Sequence, residues 1–107
     1  MIEFIRGQTT KIYAEIPATD IPDLSVITGI WFMLKQGNVL KLDAGTDDCY
    51  IVGRRIYTNL SQEETLNFNE GYGKAQISLL LSNDERRVCY VSQFRVHEIV
   101  KEGIQNG

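Results

Sequence analysis

His97 is the chain's single histidine, and Glu98 follows it, so imidazole–carboxylate chemistry would fall to this pair. Both lie in a stretch that reads as a strand, where adjacent side chains leave opposite faces and cannot cooperate. A His–Cys couple fares no better. Cys89 is eight positions from His97, roughly 26 Å along an extended chain. No ordering of Ser, His and Asp carries a local nucleophile signature. Asp43, Asp47 and Asp48 cluster near Gly45, but they lack the alternating spacing and distal bidentate Glu of a calcium loop. Gly71-Tyr-Gly73 lacks the Lys-Ser/Thr sequel of a phosphate loop and leads into a strand. Glu63 and Glu64 open a helical turn, where carboxylates complement the backbone dipole without any catalytic task. No catalytic, cofactor-binding or metal-ligating residue is assigned, and a non-enzymatic role is expected.

The elements that would position any site are strands. Residues 9–16 alternate, with Ile12, Ala14 and Ile16 on one face and Lys11, Tyr13 and Glu15 on the other, the period of a half-buried strand. Pro17 and Pro22 bracket an acidic loop that stops the ladder. Residues 27–36 form a second strand, then Gly37-Asn38 reads as a two-residue hairpin turn in which both residues supply positive φ. Val39–Leu42 returns. Cys49–Val52 and 54–60 are short strands around Gly53. Lys74–Leu81 places Ala75, Ile77, Leu79 and Leu81 on one face. A final strand from Arg87 to about Ile99 carries Val88, Tyr90, Phe94 and Val96 in one register, before a frayed tail at Gly103 and the Gln-Asn-Gly ending.

One helix-start signal interrupts this pattern. Ser61 followed by Glu64 is a capping box, with Leu60 and Thr65–Leu66 as an apolar staple. Asn67, Asn69, Gly71 and Gly73 stop the helix within two turns. The expected fold is all-β: an immunoglobulin-like antiparallel β-sandwich of about seven strands, with one short helical turn near residues 61–67. A barrel is the other closure open to such a pattern. A helical turn between two strands occurs at one corner of many immunoglobulin-like sandwiches.

At 107 residues, the chain is expected to be one domain, 1–107, large enough for a core without metal or disulfide. The net charge of −3 disfavours nucleic acid, whose phosphates need clustered Lys and Arg. Basic runs are only the pairs Arg54–Arg55 and Arg86–Arg87, read as solvated turn or edge residues. The start, Met1 to Arg6, turns polar too quickly for a signal peptide. No apolar stretch approaches membrane-spanning length. Synthesis in a cytoplasm is expected, with no membrane partner. Cys49 and Cys89 lack a CxxC spacing, and free buried thiols lead over a disulfide.

The strand at 27–36 is apolar on both sides. Ile30, Phe32 and Leu34 alternate without interruption and face the core; Trp31 and Met33 point the other way. Either the domain itself covers them, in a second core layer or beneath the 17–22 loop, or they form a partner-binding patch, joined by Tyr13 or Tyr57. A second reading of the aromatics is a carbohydrate-binding module that stacks sugars on Trp31, Tyr57 and Tyr72. It requires several of those rings to lie coplanar on one solvated face.

Four stretches carry a family resemblance: Phe4-Ile-Arg-Gly-Gln-Thr9, Ile30-Trp-Phe-Met-Leu-Lys-Gln36, Leu60-Ser-Gln-Glu-Glu-Thr-Leu-Asn-Phe68 and Gly73-Lys-Ala-Gln-Ile77. They look like small prophage-encoded proteins of Firmicutes. The opening Arg-Gly-Gln-Thr resembles the start of the N-terminal domains of phage tail and baseplate upper proteins, which are immunoglobulin-like sandwiches. The resemblance implies a virion structural protein, made in the bacterial cytoplasm. It would act by packing against copies of itself, as a homo-oligomer, or against virion neighbours, with no cofactor.

Overall fold

A computed structural model describes residues 1–98, with Cys89 and Tyr90 as backbone alone. The expected tail, and the strand end at Ile99, lie outside the described residues. Eight strands run in the order β1 (Ile2–Ile5), β2 (Thr10–Glu15), β3 (Ile27–Gln36), β4 (Val39–Ala44), β5 (Cys49–Val52), β6 (Arg55–Leu60), β7 (Gly71–Leu81) and β8 (Arg86–His97), with the helix α1 (Gln62–Leu66) between β6 and β7. They form two sheets. One is five-stranded, in the order β1-β8-β7-β3-β4; the other is three-stranded, in the order β2-β6-β5. The fold is an all-β sandwich. Its order matches the immunoglobulin plan, with β2-β6-β5 in the places of strands B-E-D and β8-β7-β3-β4 in those of G-F-C-C′.

Two departures from the expected fold have local causes. The eighth strand is β1, whose Ile2 and Phe4 are buried and whose Glu3 and Ile5 face out. It is too short for its alternation to stand out beside the terminus. It also pairs parallel to β8, Ile2 opposite Phe94 and Phe4 opposite Val96, so the larger sheet is mixed and not purely antiparallel. The Gly37-Asn38 turn places positive φ at Gly37 alone; Asn38 does not share it. Positive φ at the first turn position only is the type II′ pattern, and Gly53 repeats it between β5 and β6.

The core lies between the sheets. Ile12, Ala14, Ile56 and Leu60 of the smaller sheet face Phe32, Leu34, Ile77, Leu79, Phe94 and Val96 of the larger. Phe68, just past α1, stacks edge-on against Phe4 (centroids 5.0 Å) and Phe94 (5.7 Å). Burying each such side chain is worth roughly 1.5–3 kcal/mol. Gly73 is required by this packing: a Cβ there would collide with the Phe94 ring and the Lys35 carbonyl.

The capping box forms in full. Ser61 Oγ accepts from the Glu64 amide over 3.1 Å, and the Glu64 carboxylate accepts from the Ser61 amide over 2.8 Å. α1 is then held from outside. Arg6 donates to the carbonyls of Phe68 (2.6 Å) and Leu66 (3.2 Å), oxygens that a helix end leaves unpaired. Thr65 is fully buried; its hydroxyl accepts from the Gly7 amide and donates toward the Gln8 carbonyl, each over 3.0 Å. The Arg-Gly-Gln-Thr stretch and the capping-box stretch are thus two halves of one contact.

Candidate interaction surfaces

β3 presents Trp31 and Met33 on the outer face of the five-stranded sheet, as alternation requires. Across this face Trp31 lies level with Ser78 of β7 and Val88 of β8, and Met33 with Gln76 and Val91. Val88 and Val91 are 55% and 64% exposed. Val88 does not share the register of Phe94 and Val96. The ladder slips between the pairs Ile77–Tyr90 and Ser78–Val88, so Cys89 is an extra residue on β8. Such a bulge turns the residues on its two sides to opposite faces, which is why Val88 faces water while Phe94 and Val96 are buried. A second slip on β4 pairs Leu40, not Lys41, with Lys35 and leaves Leu40 exposed.

Trp31 is not bare. Its ring leans toward Gly29, where an added Cβ would meet it at 3.0 Å, and the Arg86 guanidinium lies over it, 4.4 Å from the centroid. Cation and ring attract through the ring's quadrupole. The side chain is therefore half-buried between the sheet and a cation, and so is Met33 without that cover.

Tyr13 and Tyr57 do not join this patch. They project from the outer face of the three-stranded sheet, on the far side of the sandwich. There they form a row with a third ring that the sequence reading missed. Tyr13, Tyr57 and Tyr50 are direct cross-strand partners on β2, β6 and β5. Tyr57 and Tyr50 are stacked, with centroids 5.3 Å apart and planes 12° apart; Tyr13 and Tyr57 are 5.4 Å apart and tilted. Arg55 sits 4.4 Å from the Tyr13 centroid and 3.5 Å from the Glu15 carboxylate. The signal for Tyr50 was its pairing across the Gly53 turn, opposite Tyr57.

The three rings proposed as a sugar platform are divided. Trp31 and Tyr72 belong to the larger sheet and Tyr57 to the smaller. Tyr57 and Tyr50 turn one ring face each to the other, so those two faces are closed to a sugar.

The basic pairs are engaged, not merely solvated. Arg54 anchors the 17–22 loop by donating to the carbonyls of Ile16 (2.7 Å), Pro22 (3.3 Å) and Ile21. Arg87 reaches Glu85 (3.0 Å) and the Asp20 carbonyl (2.8 Å). His97 approaches Glu3 at 3.7 Å, while Glu98 meets Arg6. In the Asp43–Asp48 loop, the Thr46 hydroxyl accepts from the Ile30 amide over 3.0 Å and so ties the loop to β3. Among the described residues, no group of three or more His, Cys, Asp or Glu side chains is placed to hold a metal ion. No helix among them is long and apolar enough to cross a membrane.

No protein-family model matches the chain, and no curated protein matches it.

Proposed function

We propose that this protein is a non-enzymatic structural module of a phage or prophage particle, in the tail, baseplate or elsewhere in the virion, and acts through protein–protein contacts. The observation that carries the reading is the outer face of the five-stranded sheet. Met33 and the Arg86-covered Trp31 lie on β3 there, and Val88 and Val91 on β8, with β7 between the two strands. A large sheet of a small domain that turns aliphatic side chains and a tryptophan to the outside is suited to burial against a partner. The family resemblance supports the same reading. Its Arg-Gly-Gln-Thr and capping-box stretches meet as one docked corner. That corner is a framework feature, consistent with a domain kept for its shape.

Two measurements test the proposal. In particles released after prophage induction of a bacterium that encodes the chain, its peptides should co-sediment with the virions in mass spectrometry. Their absence from particles would overturn the virion assignment. The double variant Trp31→Ser/Met33→Ser should stay folded and fail to join particles; full incorporation of that variant would remove this face from the contact.

A further inference from the structure

We infer that the outer face of the five-stranded sheet takes an acidic polypeptide segment, whose carboxylates enter a cleft beside Lys35 and Lys74 and whose apolar side chains cover Met33 and Val91. This deepens the assembly reading of that face and rests on it only in taking the face as a protein contact.

The charge of this face is opposite to that of the chain. The chain has 14 Asp and Glu against 11 Lys and Arg. The three inner strands of the sheet, β8, β7 and β3, hold no acidic residue. Their outer face carries Lys35, Lys74, Arg86 and Arg95. Within the sheet, carboxylates stand only on the two edge strands, Glu3 on β1 and Asp43 on β4. Glu3 already lies 3.7 Å from His97.

Lys35 and Lys74 are direct cross-strand partners. Like charges placed in this way destabilise a sheet. Among the described residues, neither ammonium has a hydrogen bond or a carboxylate partner. Their row continues to Gln93 of β8, opposite Lys74. With Asn38 and Tyr72 these residues line an open cleft of about 490 Å³, and no acidic residue lines it. Tyr72 is 53% exposed, and the Arg95 guanidinium lies 5.4 Å from its ring centroid. An anion set between the two ammonium groups would turn their repulsion into attraction.

The occupant is argued from the neighbouring rows. Next along the strands come Met33, Gln76 and Val91, and beyond them Trp31, Ser78 and Val88. A free anion such as phosphate would use the cleft alone. A nucleic acid would approach a chain of net charge −3 and meet an uncharged row that its phosphates cannot use. A polypeptide with carboxylates at one end and apolar side chains at the other matches both rows. Lysine ammonium groups act as point charges toward single carboxylates, and an uncharged centre beside a charged rim is the usual build of a protein interface.

The test is an NMR titration of the isotope-labelled full chain at low ionic strength, where exposed charges are least screened. Hexaglutamate should bind with a Kd of about 1 mM or tighter and move the amide signals of Lys35, Lys74 and Gln93. An acetylated peptide of four glutamates followed by two leucines should bind more tightly despite its lower charge, and should also move Met33 and Val91. Lys35→Gln/Lys74→Gln should weaken both peptides by about fivefold or more. Its urea midpoint should rise, because the repulsion is gone, so the lost binding is not a damaged fold. Equal binding of the two peptides would overturn the inference. So would inorganic phosphate or oligothymidylate that binds these residues more tightly than the leucine peptide, or peptide shifts that the lysine variant leaves unchanged. In particles, the lysine variant should be incorporated less than wild type. Its full incorporation, with Trp31→Ser/Met33→Ser excluded, would remove the acidic partner and leave this face in the assembly. Absence of the chain from particles, with peptide binding intact, would remove the virion assignment alone and support the acidic partner.

Discussion

Arg6 donates from Nε to the carbonyl oxygen of Phe68 over 2.6 Å, which joins the end of the first strand to the residue that closes the helical corner. The same guanidinium reaches the Leu66 carbonyl at 3.2 Å and the Glu98 carboxylate at 3.3 Å. One side chain therefore ties together β1, the exit of α1 and the end of β8. Phe68 is fully buried beneath it.

Arg6→Ala should destabilise the domain by about 1.5–3 kcal/mol, the scale of hydrogen bonds to a charged group. Arg6→Lys should recover little of that, since an ammonium lacks the planar fork that spans two carbonyls. Urea melts give the size of the loss. Amide exchange gives its place: protection at residues 61–68 should fall first. A loss spread evenly over the sandwich would mean that Arg6 does not act at the corner.

Ser61→Ala removes the acceptor for the Glu64 amide and should cost about 0.5–2 kcal/mol. A five-residue helix has too few internal bonds to persist without its cap. An unchanged urea midpoint would show that Arg6 and Thr65 hold the corner unaided.

Gly73→Ala should destabilise by about 1–3 kcal/mol through overpacking. The added methyl meets the Phe94 ring, which can turn, and the Lys35 carbonyl, which sits in the β3 backbone. Gly45→Ala, where nothing lies within reach of a Cβ, is the matched control. Equal midpoints for the two variants would contradict the assigned close approach.

The alternating faces of β2, β3 and β7 were legible because each buries one side with strict period two. The capping box was legible because Ser61 and Glu64 need only each other and their own backbone. What the sequence hid were events that break period two. The extra residue at Cys89 sends Val88 outward, although Val88, Phe94 and Val96 share parity. The slip at Lys41 does the same for Leu40. Cross-strand identity was hidden too. Tyr50 joins Tyr57 and Tyr13 only once two sheet registers are known. Trp31 was placed on the correct face, but its cover, Arg86, comes from β8, which is not even a direct neighbour of β3.

Cys49 should make stability fall with rising pH between about 9 and 11. Burial is the main cause that pushes its thiol from an ordinary value of 9.0 up to about 11. The unfolded thiol then loses its proton first, so the unfolded state gains from every step in pH above its own value. This contribution is fully present below about pH 9 and is lost as pH rises through the folded value. The sulfur also donates to the Ala44 carbonyl over 3.7 Å. Cys49→Ala should flatten the decline of the urea midpoint across that window, relative to wild type; parallel declines would show that Cys49 does not titrate differently on folding. At pH 8 the native thiol should react with a disulfide reagent far more slowly than the chain in urea.

Arg86→Ala should uncover Trp31. The guanidinium lies 4.4 Å from the ring centroid and supplies most of what separates this ring from water on its outer side. The sheet supplies the other side, where Gly29 leaves room for the ring. Removing the guanidinium exposes one ring face and deletes a surface cation–π contact worth about 0.5–1 kcal/mol. Trp31 is the chain's single tryptophan, so its fluorescence reports this site alone. Emission should shift to longer wavelength, and iodide should quench it more strongly once the cation is gone. Gly29→Ala presses on the ring from beneath and should shift emission in the same direction while costing more stability. An Arg86→Ala spectrum identical to wild type would mean that the ring is already fully wet, and that the outer face of β3 has no cover of its own.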